Sequence, residues 1–178
     1  MTLSLIIFLI NADDCVIIYI ENSQNIKTGG VCMASSIRNE YLTTRAWHRA
    51  VVGGKDMILR RTSALEFLEL FGGYVSEKKI DVYANQHDDY ENINYHVVDT
   101  FDNIEFMRFG DVLCTSVNQT FNDMFDDFDS IDEQSLIESL SRYYYTHNNS
   151  FDGLVIKQEH AECFNSIKDW AIEYYDEE

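Results

Sequence analysis

The sequence predicts an α+β fold, in which a small mixed or antiparallel sheet of about three to five strands packs with about four or five helices. Three segments in the middle of the chain, 79–84, 93–98 and 104–109, alternate β-branched or aromatic residues with polar ones, which is typical of strands. Apolar residues at helical spacing occur before these segments and throughout the last third of the chain. A length of 178 residues is enough for one domain with a real core.

The first 32 residues differ from the rest. Apolar runs at 3–10 and 16–20 are too short to cross a bilayer, and no Lys or Arg precedes them as in a secretory signal. They fit a local strand–turn–strand hairpin. However, the codons of Gly29-Gly30-Val31 can form a ribosome-binding site just upstream of Met33. We therefore hypothesise that residues 1–32 are a translated leader or flexible extension, and that residues 33–178 form a single α+β domain.

The elements before the strands are two helices and a short apolar segment. Helical spacing over 35–52 predicts a helix that ends at Gly53-Gly54, followed by the short apolar segment 57–59. The residues Ser63 to Glu66 have the form of a capping box, which predicts a second helix starting at Ser63. Gly72-Gly73 is expected to close that helix.

After the three strands, 112–114 is a candidate fourth strand and the remainder is helical. Thr115 or Ser116 is expected to cap one helix, and Asp132 the next, with Asn148-Asn149 as a turn after it. A last helix is expected over about 158–175. The predicted apolar face of the first of these helices is made by Phe121, Met124, Phe125 and Phe128.

The charge is unevenly distributed. Between Met33 and Arg61 there are six Lys or Arg and two acids, a net of +4, which we call the basic collar. From Thr62 onward there are 26 acids and six bases, a net of −20. An acidic body of this kind repels nucleic acid and attracts basic protein surfaces, so direct nucleic-acid binding is not expected.

No catalytic or cofactor motif is present. The four cysteines include no C-x-x-C pair, the five histidines have no finger spacing, and Gly53-Gly54-Lys55 lacks the spacing of a P-loop. We therefore expect a non-enzymatic chain with no cofactor and no metal site. A degenerate metal-dependent nuclease built on Asp99, Asp102 and Glu105 is the weakest alternative, because Arg108 stands where a lysine would be needed.

Two groups of charged residues are candidate binding sites. The densest acidic stretch is the candidate partner-binding surface, and it comprises Asp123, Asp126, Asp127, Asp129, Asp132 and Glu133. The second group shares helical spacing or follows it closely, and comprises Arg45, His48, Arg49, Arg60 and Arg61. These basic residues can contact phosphates or a partner, or can pair internally with the acidic body.

Two segments resemble the AbiEi-type antitoxins of type IV toxin–antitoxin systems. Residues 58–68 (ILRRTSALEFL) followed by 80–83 (IDVY) are similar to the family's S-A-L helix and V-x-V strand. Residues 112–124 are similar to its V-T-S-P-E-R-T-L-x-D segment, with matches at Thr115, Ser116, Thr120 and Asp123, and residues 136–144 resemble its next helix. The Pro, Glu and Arg of the family pattern are replaced by residues 117–119.

The resemblance covers about residues 57–145 and implies a function. It implies a non-catalytic antitoxin that counteracts a nucleotidyltransferase-type toxin, here without the family's usual N-terminal winged-helix domain. We expect a cytoplasmic protein that acts on a basic protein partner and not on a membrane. An alternative is a phage or mobile-element anti-CRISPR inhibitor, in which the acidic body occupies the nucleic-acid channel of a CRISPR effector nuclease.

Overall fold

A computed structural model of the chain describes residues 5–8, 17–20, 43–73 and 79–175. The chain divides into two units, residues 1–38 and 39–178. In the first unit, strand β1 (Leu5–Phe8) pairs antiparallel with β2 (Ile17–Ile20). The hairpin interpretation of these apolar runs is therefore confirmed, while the hypothesis of a translated leader stays a prediction.

The described part of the second unit contains five strands and five α-helices, which confirms the predicted α+β class with a helical C-terminal third. In chain order they are α1 (Thr44–Val52), β3 (Met57–Leu59), α2 (Arg61–Phe67), β4 (Ile80–Ala84), β5 (Ile93–Val97), β6 (Phe106–Phe109), β7 (Val112–Thr115), α3 (Val117–Asp126), α4 (Glu133–Thr146) and α5 (Ala161–Glu173). Short 3₁₀ helices occupy Phe128–Ser130 and Gln158–His160. No described helix is long and apolar enough to span a bilayer.

The sheet is mixed, with the strand order β5-β4-β3-β7-β6. The three-residue strand β3 is central, antiparallel to β4 and parallel to β7, and all three of its residues are buried. Strand β5 lies parallel to β4, and β6 forms an antiparallel hairpin with β7. The short apolar segment 57–59 is therefore the middle of the sheet, which its length alone did not predict.

The main core is formed by helices α2 to α5. Its buried side chains come from all four of these helices, and they include Leu65, Phe121, Met124, Leu136, Leu140 and Ile167. Helices α2 and α3 also contact strand β7, which joins this helical core to the sheet. A smaller cluster of Ile58, Tyr83 and Leu113 packs under Val98, Phe101 and Ile104 of the β5–β6 connection.

The expected capping box at the start of α2 is wrong. Helix α2 begins at Arg61, so Ser63 lies inside its first turn and accepts a 2.9 Å hydrogen bond from the backbone N–H of Asp81. Glu66 is buried opposite His48 and does not face the helix start. The predicted stop at Gly72-Gly73 is also wrong, because the helix ends at Phe67 and Glu69 turns the chain with a φ of +62°.

The predicted caps of α3 and α4 are confirmed, whereas Phe128, predicted on α3, lies in the 3₁₀ helix that follows it. Ser116 caps α3 by accepting from the backbone N–H of Gln119 at 3.1 Å, and Asp132 caps α4 by accepting from Ser135 at 3.2 Å. Asn148 and Asn149 both have positive φ, as a turn of this kind requires. Helix α1 begins after its N-cap Thr43, and the part of the expected 35–52 helix before residue 43 lies outside the described residues.

Candidate functional site

Four charged or polar side chains meet where β3 and β4 approach α3. Asp123 lies at the end of the second turn of α3 and is 1% exposed. Its Oδ1 accepts a 2.8 Å hydrogen bond from the Tyr83 hydroxyl and a 2.7 Å bond from the Gln119 side chain. The Arg60 guanidinium stacks over the Tyr83 ring at 4.5 Å, and its Nε lies 4.0 Å from Asp123 Oδ2. We call Arg60, Tyr83, Gln119 and Asp123 the buried polar cluster.

The turn between β3 and α2 positions two arginines toward one carboxylate. Arg60 Nη2 donates to Asp127 Oδ2 at 3.0 Å, and Arg61 Nε lies 3.5 Å from the same oxygen. Arg61 has a φ of +48°, a region that non-glycine residues rarely occupy and that costs about 1–3 kcal/mol. The strand-to-helix turn is therefore held in a strained form that presents both guanidinium groups to Asp127.

Strand β4 contributes a half-buried carboxyl, that of Asp81, next to this cluster. The Asp81 backbone accepts from the Arg60 N–H at 3.0 Å and donates to Ser63, which fixes β4 against the start of α2. Asp81 Oδ1 accepts a 3.2 Å bond from Asn94 on β5. His96, two residues further along β5, packs edge-on against Tyr83 with ring centroids 5.1 Å apart.

Burial controls the protonation of these groups. Loss of solvent raises the pKa of Asp123 above its ordinary value, although the bonds from Gln119 and Tyr83 oppose the rise. Burial likewise raises the pKa of Asp81, against the pull of Arg61. Burial and the nearby Asp123 carboxyl raise the pKa of Tyr83, so its hydroxyl stays protonated and acts as a donor.

The arrangement is better suited to holding elements together than to acid–base chemistry. Both Asp123 and Tyr83 are closed off from solvent, at 1% and 7% exposure, so a substrate cannot reach them without a rearrangement. Their hydrogen bond joins the sheet to α3, and the Arg60–Asp127 bond joins the β3–α2 turn to the end of α3. The cluster therefore fixes the position of the C-terminal end of α3.

The predicted acidic surface is only partly at the surface. Asp123 lies apart from it, in the buried polar cluster, and Asp127 is half-buried against Arg60 and Arg61. The exposed members lie on the end of α3, the 3₁₀ helix after it and the start of α4, and they are Asp126, Asp129, Asp132 and Glu133. We call these four residues the acidic surface.

The predicted basic residues lie next to carboxylates of the same chain, which fits the internal pairing with the acidic body that the sequence allowed. Arg45 Nη1 lies 3.2 Å from Glu69, and Arg49 Nε lies 3.2 Å from Asp111. His48 is fully buried, with Nε2 3.4 Å from Glu66 and Nδ1 2.7 Å from the Thr44 carbonyl oxygen. Arg60 and Arg61 share Asp127, so every side chain of the group lies next to a carboxylate and the five do not form one free basic patch.

Sequence reasoning missed Tyr83 and Gln119 as partners of Asp123. Tyr83 lies between buried Val82 and Ala84 on β4, so the sequence gives a weak signal of its burial. Its partner Asp123, however, lies 40 residues away along the chain. Gln119 lies one helical turn before Asp123, a spacing that predicts the contact once α3 is known.

Comparison with known proteins gives no independent assignment. A scan against protein-family models finds no match. A search of curated proteins also finds none.

Proposed function

We propose that this chain is a non-catalytic protein that binds a basic partner enzyme through the acidic surface and neutralises it, in the manner of an AbiEi-type antitoxin. The observation that carries the proposal is the contrast between the two kinds of charge. Of the six arginines in the described residues, Arg45, Arg49, Arg60, Arg61 and Arg142 form ion pairs and exposed Arg108 does not, whereas Asp129, Asp132 and Glu133 are exposed and form no ion pair with another described residue.

A surface of this kind suits binding because its carboxylates sit on rigid elements. Asp132 is held as the N-cap of α4, and Glu133 lies in the first turn of that helix. The preceding end of α3 is tied to the β3–α2 turn by the Arg60–Asp127 bond. A pre-organised charged surface loses less conformational entropy on binding and attracts an oppositely charged partner over a distance.

The resemblance to the antitoxin family supports the same proposal from a different direction. Its matching residues occupy one place in the fold. Ser116 caps α3, Thr115 and Thr120 share a buried 2.7 Å hydrogen bond at the β7–α3 junction, and Asp123 is the centre of the buried polar cluster. The residues that carry the resemblance therefore build the support beneath the acidic surface.

Co-expression with a nucleotidyltransferase toxin encoded in the same genome tests this function. We expect the wild-type chain to restore growth, and the Asp129→Asn, Asp132→Asn, Glu133→Gln triple variant to restore it poorly. Absence of any rescue by the wild-type chain would contradict an antitoxin role. Inhibition of a CRISPR effector nuclease by the wild-type chain, with no rescue from the toxin, would instead support nucleic-acid mimicry.

A further inference from the structure

Three potential metal ligands converge where the end of α3 meets the 3₁₀ helix before α5. His160 Nε2 lies 3.0 Å from Asp126 Oδ1 and 3.9 Å from Glu159 Oε1. The three ligand atoms all lie within 4.8 Å of one another, which is the spacing of ligands around one small cation. The described residues contain no other group of three such side chains with this spacing.

The histidine is fixed and its ring nitrogen faces this group. His160 is 9% exposed, and its ring stacks on Phe125 with centroids 5.8 Å apart and planes 23° apart. Its Nε2 is buried and makes no aligned hydrogen bond within the described part of the chain, although the Asp126 carboxylate is close. A buried imidazole nitrogen that faces two carboxylates without an aligned hydrogen bond is arranged as a metal ligand would be.

Helix α3 also fixes the backbone that carries the other ligands. Asn118 Oδ1 accepts from the Val155 N–H at 2.9 Å, and Asn122 Oδ1 accepts from the Lys157 N–H at 2.9 Å. The Asn122 amide also donates to the Val155 carbonyl oxygen at 2.8 Å. These bonds dock residues 155–157 on α3, so Glu159 and His160 arrive beside Asp126 without further ordering.

Lys157 competes for the same carboxylates. Its Nζ lies 3.1 Å from Asp126 Oδ2 and 4.0 Å from Glu159 Oε1. The side chain is 44% exposed and reaches the group from solvent, so it can leave without disturbing the core. A cation bound here would take over the charge neutralisation that the ammonium provides.

We propose that Asp126, Glu159 and His160 form a binding site for a divalent transition-metal ion, with Lys157 as an internal competitor. One imidazole and two carboxylates suit Zn²⁺ better than Mg²⁺ or Ca²⁺, which take oxygen ligands almost exclusively. Three protein ligands leave one coordination position for water. The site goes beyond the proposed partner binding, whose test changes Asp129, Asp132 and Glu133 and none of these ligands.

Isothermal titration of the purified full chain with Zn²⁺ tests the site. We expect one equivalent to bind the wild type, and Glu159→Gln and His160→Gln to weaken that binding by at least about tenfold. Lys157→Met should tighten it by about fivefold, because it removes a unit positive charge close to the ion. Glu162→Gln removes an exposed acid from the first turn of α5 and serves as the control, with unchanged affinity.

The Glu159 variant separates metal ligation from folding. His160 also packs on Phe125, so its replacement changes the core, whereas Glu159 is exposed. No uptake by the wild type at millimolar Zn²⁺ would overturn the proposal. Uptake that is the same in the wild type and in the Glu159→Gln and Lys157→Met variants would overturn it too.

Discussion

The Tyr83 hydroxyl donates a 2.8 Å hydrogen bond to Asp123 Oδ1 and so joins strand β4 to helix α3. Both side chains are buried, and the Arg60 guanidinium lies over the Tyr83 ring. Because α3 leads directly into the acidic surface, this contact links the interior of the sheet to the place where we propose that a partner binds.

Removal of the Tyr83 hydroxyl should destabilise the fold. Tyr83→Phe leaves the buried Asp123 carboxyl with one donor fewer, and we expect the free energy of unfolding to fall by about 1–3 kcal/mol in urea denaturation. Tyr145→Phe is the matched control, because its hydroxyl bonds the Ile172 carbonyl oxygen at an exposed position and should cost less than about 1 kcal/mol. Equal losses in the two variants would show that the Tyr83–Asp123 bond is unimportant.

The buried pair of His48 and Glu66 should behave differently from the exposed ion pairs. Either His48→Leu or Glu66→Leu leaves a polar partner in the core, and we expect a loss of about 3–5 kcal/mol. The double variant should recover part of this loss, because neither polar group then remains.

Arg49→Ala supplies the control for the buried pair. The Arg49–Asp111 contact is about half exposed on both sides, so its loss should cost less than about 1 kcal/mol. Thermal or urea unfolding of the four variants measures all of these differences. Additive losses in the double His48/Glu66 variant would argue against direct coupling of the two side chains.

Asp81 should make stability depend on pH in a predictable direction. Its folded-state pKa lies above the ordinary value of 3.8 because of burial, so the folded protein binds this proton more tightly than the unfolded chain. Stability is then lost as the pH rises through the folded-state pKa. The difference in unfolding free energy between Asp81→Asn and the wild type should therefore favour the variant more at neutral pH than at about pH 3. Urea unfolding of both proteins across the pH range measures this difference. A difference that does not vary with pH would refute this.

Cys114 should resist alkylation in the folded protein. It lies fully buried on β7, and burial raises the pKa of its thiol to about 12. Because the thiolate is the reactive form, we expect peptide mapping after iodoacetamide treatment at pH 8 to find Cys114 unmodified until denaturant is added. The half-buried Cys163 provides the comparison, and labelling of Cys114 at the same rate would contradict its placement.

Local signals in the sequence predicted the elements, whereas contacts between distant residues decided the site. Ser116 and Asp132 are predictable as caps because a capping bond reaches only three residues along the chain. The spacing of Ser63 and Glu66 has the same form, yet Ser63 bonds Asp81 and Glu66 faces His48. A partner 18 residues away leaves no periodic trace, so the local interpretation failed there.

The same limit explains the candidate site. Acid density indicated the stretch that contains the acidic surface, but it could not separate buried Asp123 from exposed Asp129. That separation depends on Tyr83 and Arg60, which come from β4 and the β3–α2 turn. The grouping of Asp126 with His160 likewise depends on how α3 and the 3₁₀ helix pack, which composition does not indicate.

The most direct test of the central claim compares two charge-matched triple variants in binding to the partner enzyme. One neutralises three of the four residues of the acidic surface by Asp129→Asn, Asp132→Asn and Glu133→Gln, and the other neutralises exposed acids elsewhere by Asp99→Asn, Asp102→Asn and Glu105→Gln. We predict that the first weakens binding by at least about tenfold and reduces its salt dependence, while the second binds like the wild type. Equal affinity of the two variants would contradict binding through the acidic surface.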